Sequence, residues 1–180
     1  MKILPILLAA VLAAGALASS AQAHQPQPPI PGDLQVPAGN QLVLVGHALG
    51  VQIYQCNGAG TWTFVAPEAL LVDDRGRLII HHFAGPTWQH RDGSKVVGAL
   101  AKPGVTVDPK SIPWLLLNGA SSAAGPFGGS TLQNVTFIQR INTRGGLAPA
   151  GSTCTTRNSG DKRAVPYSAD YTFYKQAKVA

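Results

Sequence analysis

The feature that most limits how this chain can fold is its punctuation. Glycine and proline, 20 and 14 of the 180 residues, recur so often that no stretch after the N-terminal apolar segment sustains the period of an amphipathic helix. Between the breaks lie short runs, apolar or alternating, of the length of β-strands. Runs of that kind bounded by turn residues pack as sandwiches or barrels. Only 12% of the residues are charged and glutamate occurs once, which excludes a coiled coil and a disordered polyelectrolyte. The expectation is an all-β, single-domain β-sandwich or barrel of about nine or ten mostly antiparallel strands with long loops.

Residues 1–23 read as a secretory signal peptide. Lys2 supplies the positive start, Ile3 to Leu17 the apolar stretch, and Ala21-Gln22-Ala23 the small-residue exit. Cleavage near Ala23-His24 predicts a secreted or periplasmic protein with no membrane span in what remains. Residues 24–39 hold Pro26, Pro28, Pro29, Pro31 and Pro37 and read as an extended lead with no core of its own. Residues 40–180 form the single β-domain. The formal net charge is +6, but the basic residues are scattered, and nucleic-acid binding requires a concentrated stripe. The two cysteines, Cys56 and Cys154, read as one disulfide in an oxidising compartment. Closing a loop of roughly a hundred residues is worth ~4–5 kcal/mol at most in the chain-entropy view.

Within the domain, Gln41–Ala48 is an apolar strand and Leu49-Gly50 looks like a tight reversal into Val51–Cys56. There Val51 and Ile53 share one face, Gln52 and Tyr54 the other. Trp62 to Val65 is a strand ended by Pro67. Ala69–Val72 and Arg77–Phe83 form a hairpin about Asp73-Asp74-Arg75-Gly76. A second hairpin, Thr87–Gln89 with Ser94–Leu100, turns at Arg91-Asp92-Gly93. Ile112–Asn118 is ambiguous between strand and short helix, and Ser121 to Ser130 is a small-residue loop. Asn134–Asn142 and Tyr167–Tyr174 alternate cleanly, on either side of a polar loop from Arg144 to Asp161.

The strings Val51-Gln52-Ile53-Tyr54-Gln55-Cys56, His81-His82-Phe83-Ala84-Gly85-Pro86-Thr87-Trp88, Ile112-Pro113-Trp114-Leu115-Leu116-Leu117 and Ile138-Gln139-Arg140-Ile141-Asn142-Thr143-Arg144-Gly145-Gly146 carry a resemblance. With Trp62-Thr63-Phe64, Asp92-Gly93-Ser94-Lys95-Val96 and Val165-Pro166-Tyr167-Ser168-Ala169-Asp170-Tyr171, they span most of Val36 to Tyr174. In that order they resemble the bacterial and fungal family catalogued as domain of unknown function 3455. The resemblance implies a secreted or periplasmic domain of unestablished activity and supplies no catalytic residues. Some fungal members carry the label malate dehydrogenase. The nicotinamide fingerprint is missing here: Gly58-Ala59-Gly60 lacks the third glycine and the helix that must follow.

Several constellations could carry chemistry. His81 and His82, with His90, His47 and Asp92, form a candidate metal site. His81 and His82 point to opposite faces of a regular strand, so only one of them could join it. His24, exposed by cleavage, could chelate copper through its amine and imidazole. Glu68 and Asp170 are the only carboxylate pair worth testing for glycoside hydrolysis. Arg140 and Asp170 lie on alternating strands, opposite the apolar stripe. They could bridge each other or bind a ligand, Arg140 as a carboxylate-binding fork. Gln139, set among Val135, Phe137 and Ile141, needs a partner if buried. Tyr54, Trp88 and Tyr174 are the aromatic residues to test for an exposed binding surface. No nucleophile motif is present, and no cofactor is implied beyond a metal ion at the histidines. The reading is a non-enzymatic exported domain that binds a small ligand or a cell-envelope component or serves a structural role. The alternative is a metal-binding protein or hydrolase centred on the His81/His82 strand.

Overall fold

The computed structural model describes residues 28–178; the signal peptide and His24 expected from sequence lie outside them. Eight strands follow in chain order: β1 (Asn40–Cys56), β2 (Trp62–Val72), β3 (Leu78–Phe83), β4 (Thr87–His90), β5 (Lys95–Leu100), β6 (Leu115–Ala123), β7 (Val135–Gly145) and β8 (Lys162–Gln176). Each pairs antiparallel with the next, and β8 returns to pair with β1, closing a barrel. Closure removes the free sheet edges that an open sheet of this size would expose. The helical turns among the described residues are three short 3-10 segments, and none of the helices is long and apolar enough to cross a membrane.

The all-β expectation is met, with two mergers that account for the lower strand count. Leu49-Gly50 is no reversal: β1 runs straight through it, with Gly50 opposite Ala69. A Cβ at Gly50 would lie 2.2 Å from the Glu68 carbonyl oxygen, so glycine is there to admit the neighbouring strand, not to turn the chain. Pro67 does not end β2 either. It pairs with Gln52 but lies beyond the β2–β3 ladder, which begins at Ala69. A missing donor is tolerated where a strand has only one neighbour. Of the ambiguous run Ile112–Asn118, no part is helix: Trp114 forms an isolated bridge with Val105 and β6 begins at Leu115, extending into the segment read as a small-residue loop, to Ala123.

One end of the barrel is filled. Leu71, Ile80, Val96, Leu132, Ile138 and Phe173 pack there, all almost fully buried. Leu132 is held in place by a polar clasp. Ser94 Oγ accepts the Leu132 amide at 3.0 Å and donates to Asp92 Oδ1 at 2.6 Å, while Asp92 Oδ2 accepts the Thr131 amide at 3.0 Å. Burial pushes the Asp92 carboxyl up, but the hydrogen bonds from Ser94 and Thr131 outweigh it and hold the group well below the usual carboxylate range.

A second apolar cluster lies outside the barrel wall. Leu34, Trp114, Leu116 and Ile141 are buried together, flanked by Ile30, Val36, Val105 and Phe137. The described part of the proline-rich lead is therefore not a bare linker: Leu34, 0% exposed, seals the outer face of β6 and β7. The disulfide expected from sequence is present. Cys56 and Cys154, 5.3 Å apart at Cα, tie the end of β1 to the β7–β8 loop across 98 residues.

Candidate functional site

The opposite half of the barrel interior is not filled. Strand alternation sends Gln52 of β1, Tyr171 of β8 and Arg140 of β7 toward a cavity of about 420 Å³, with Tyr54 and Tyr167 on the same inner face but outside its lining. The size suits a small ligand, and eight-stranded barrels have interiors that are either packed solid or hold one such molecule. Trp88, 1% exposed, and Tyr171 form the floor above the apolar core. Gly98 forms part of the wall because a Cβ there would meet Trp88 Cζ3 at 2.9 Å. The rim carries large apolar side chains that face water: Phe64 is 50% exposed and Leu100 60%.

The polar groups of the cavity are few and fixed. The His82 ring stacks on Trp88 with centroids 4.2 Å apart, and its Nδ1 donates to the Thr87 carbonyl at 2.9 Å. Burial pushes His82 down to about 3, so the ring is neutral near pH 7, with Nε2 as an acceptor. The Tyr167 and Tyr171 hydroxyls share a hydrogen bond at 3.2 Å, and burial pushes both well above the usual tyrosine range. Outside the lining, Tyr54 OH donates to the Gly146 carbonyl at 2.6 Å and ties down the loop that follows β7. Arg140 donates from Nε and Nη2 to one oxygen, the Pro113 carbonyl, at 3.1 and 2.9 Å. Among the described residues, two buried side-chain nitrogens have no partner: Gln52 Nε2 and Trp88 Nε1. Buried donors left unpaired are uncommon and destabilising, by ~1–3 kcal/mol each.

The sequence-derived candidates scatter. Arg140 and Asp170 form no bridge with each other. In register, Arg140 lies opposite Tyr171 while Asp170 lies opposite His47 and Ile141, so one faces the cavity and the other the outer surface. The apolar stripe of Phe137, Gln139 and Ile141 turns out to be the outer one. It read as the core side because the lead and the 101–114 loop cover it, which buries both faces of β7. Gln139 finds its partners there: Nε2 donates to the Leu34 carbonyl at 2.6 Å, and Oε1 accepts from Thr172 and Tyr174. Tyr54 and Trp88 are buried and offer no exposed stacking surface; Tyr174 is half-buried.

The histidines do not converge. His47 lies between Asp170 and Asp74, 2.7 and 2.8 Å from one oxygen of each, and His81 is hydrogen-bonded to Glu68. His90 Nδ1 accepts the Asp92 amide at 3.2 Å. Among the described residues no group of three or more histidine, cysteine or acidic side chains is placed to hold a metal ion. Glu68 and Asp170, the candidate carboxylate pair, are each tied to a different histidine.

Sequence reasoning missed His82, Tyr167 and Tyr171 as neighbours of Arg140, and the exposed Phe64 and Leu100 at the mouth. The usable signal lay in β1, where Gln52 and Tyr54 alternate with Val51 and Ile53. Periodicity separates the two faces but does not say which one turns inward.

Comparison with curated proteins and with solved structures gives no match. A family model does match, over residues 37–175, and its bounds take in every strand of the barrel except the last residue of β8. The chain thus belongs to the family described as protein of unknown function (DUF3455).

Proposed function

We propose that this protein is an exported, non-enzymatic binder of a small molecule, which it holds inside the barrel. One observation carries the reading: Gln52 Nε2 and Trp88 Nε1 are buried without partners in residues that line a cavity of about 420 Å³. Neither nitrogen is open to the cavity as it stands, so an acceptor on a ligand would meet them after a small turn of the side chains, and an apolar body would cover Phe64 and Leu100. Recognition rather than proton transfer suits the site's chemistry. Burial keeps His82 neutral and the tyrosines protonated, and a guanidinium stays charged. General acid–base catalysis asks instead for a group poised near the working pH. The leader-like N-terminus and the Cys56–Cys154 bond are in keeping with export.

The test uses the neutral fluorophore N-phenyl-1-naphthylamine. Saturable 1:1 binding is expected, with energy transfer from tryptophan that falls more in Trp88→Phe than in Trp62→Phe or Trp114→Phe. Absence of binding, or transfer that is indifferent to Trp88, would overturn the reading.

A further inference from the structure

We infer that the cavity selects a compact apolar monoanion, a carboxylate, whose charge is received at Arg140. The inference rests on the ligand-binding reading above and adds the class of ligand.

Three observations converge on it. First, Arg140 is the one charged side chain lining the cavity, and it has no acidic partner among the described residues. The carboxylates of the strands and turns are engaged elsewhere: Asp170 and Asp74 with His47, Glu68 with His81, Asp92 with Ser94 and Thr131, Asp108 with Lys110 and Ser111. A partly buried cation whose partners are the neutral Pro113 carbonyl and the Tyr171 hydroxyl is poorly compensated. Second, donors outnumber acceptors. Gln52 Nε2 and Trp88 Nε1 have no acceptor among the described residues and Arg140 adds further N–H groups, against the neutral His82 Nε2 as acceptor, while the Tyr171 hydroxyl shares one hydrogen bond with Tyr167. A carboxylate is acceptor-only and takes several donors at once. Third, the rest of the lining is apolar or aromatic, including Phe64, Val65, Pro67, Leu100 and Leu115. One cation in an apolar cup matches one negative charge on an apolar body. A phosphate ester, with more charge, would meet too few cations.

Alkyl and aromatic acids share this chemistry, so the test pairs each acid with its neutral counterpart. Isothermal titration of wild-type protein would compare decanoate with decanol, and 2-naphthoate with 2-naphthylmethanol. In at least one pair the acid should bind about tenfold or more tightly than the alcohol, and the tighter pair reports chain or ring. Arg140→Gln should erase the preference and Arg140→Lys should restore part of it. Arg140 also holds the Pro113 carbonyl, so near-UV circular dichroism checks the fold of both variants. Gln52→Leu leaves charge and loop contact intact. It should weaken the acid about tenfold or more, as loss of one hydrogen bond to a charged group does, and weaken the alcohol less. Equal binding of acid and alcohol, a preference that survives Arg140→Gln, or failure of both pairs while N-phenyl-1-naphthylamine still binds would overturn this inference alone. Failure of all the probes would overturn the ligand-binding reading with it.

Discussion

Replacing Leu34 by alanine tests whether the lead is part of the folded unit. Leu34 is 0% exposed and sits against Trp114, Leu116 and Ile141 on the outer wall of β6 and β7. Removing three carbons from a closed apolar site costs about 0.8 kcal/mol for each in transfer alone, and the unfilled space raises the total to about 2–4 kcal/mol. The Leu34 carbonyl also accepts the buried Gln139 Nε2 at 2.6 Å, so any undocking of the lead orphans that donor as well. For a domain of this size, 3 kcal/mol corresponds to a fall in Tm of roughly 6–12 °C. Urea denaturation followed by tryptophan fluorescence would measure the change. Leu42→Ala, at a position half exposed on β1, serves as the control and should shift stability by less than about 0.5 kcal/mol. If Leu34→Ala were as neutral as the control, the lead would be a passive tether and the two-sided burial of β7 would be wrong.

Three further outcomes follow from particular contacts. The double variant Cys56→Ala/Cys154→Ala should lose about 2–5 kcal/mol in urea titrations; an unchanged midpoint would mean that the cross-link constrains nothing. Asp92→Ala removes the acceptor for Ser94 and for the Thr131 amide and so loosens the Leu132 plug. It should cost about 2–4 kcal/mol and speed hydrogen exchange at Thr131 and Leu132. The third concerns pH. Hydrogen bonds that His47 donates to Asp74 and then Asp170 raise its pKa. A group whose pKa is higher folded than unfolded stabilises fully below the unfolded value and loses that effect as pH rises through the folded value. Between pH 6 and pH 8 wild-type protein should therefore lose a contribution, under about 1 kcal/mol because the site is part-exposed. The His47→Gln variant should lack that slope.

Much of the barrel was legible in the residues. Tyr167–Tyr174 alternates so strictly that its inward stripe of Tyr167, Ala169, Tyr171 and Phe173 is the stripe the core uses. The turn at Asp73-Asp74-Arg75-Gly76 sits where its composition placed it: Asp73 Oδ1 accepts the Arg75 and Arg77 amides, each at 3.0 Å. The paired cysteines needed only an oxidising compartment to be read. What stayed hidden depended on long-range neighbours. Gly50 and Pro67 are strand breakers by local preference, and only the approach of β2 to β1 and the short reach of β3 make them strand residues. The candidate site was half visible. Arg140 and Trp88 stood out by residue type, but Arg140 was matched with Asp170. The outer face of β7 is covered by segments far away in sequence, so the apolar side of that strand is not the barrel's inside. Alternation sets Gln52 on one face of β1 without saying that this face is the interior.

The most direct test is a 15N–1H NMR spectrum of the three indole N–H groups. The Trp62 Nε1 proton is already donated to Thr153 Oγ1 at 3.0 Å, whereas Trp88 Nε1 has no acceptor. On saturation with the tighter-binding acid, the Trp88 indole proton should move downfield and exchange more slowly with solvent, while those of Trp62 and Trp114 hold their positions. A Trp88 resonance that stays put at saturation would contradict the account.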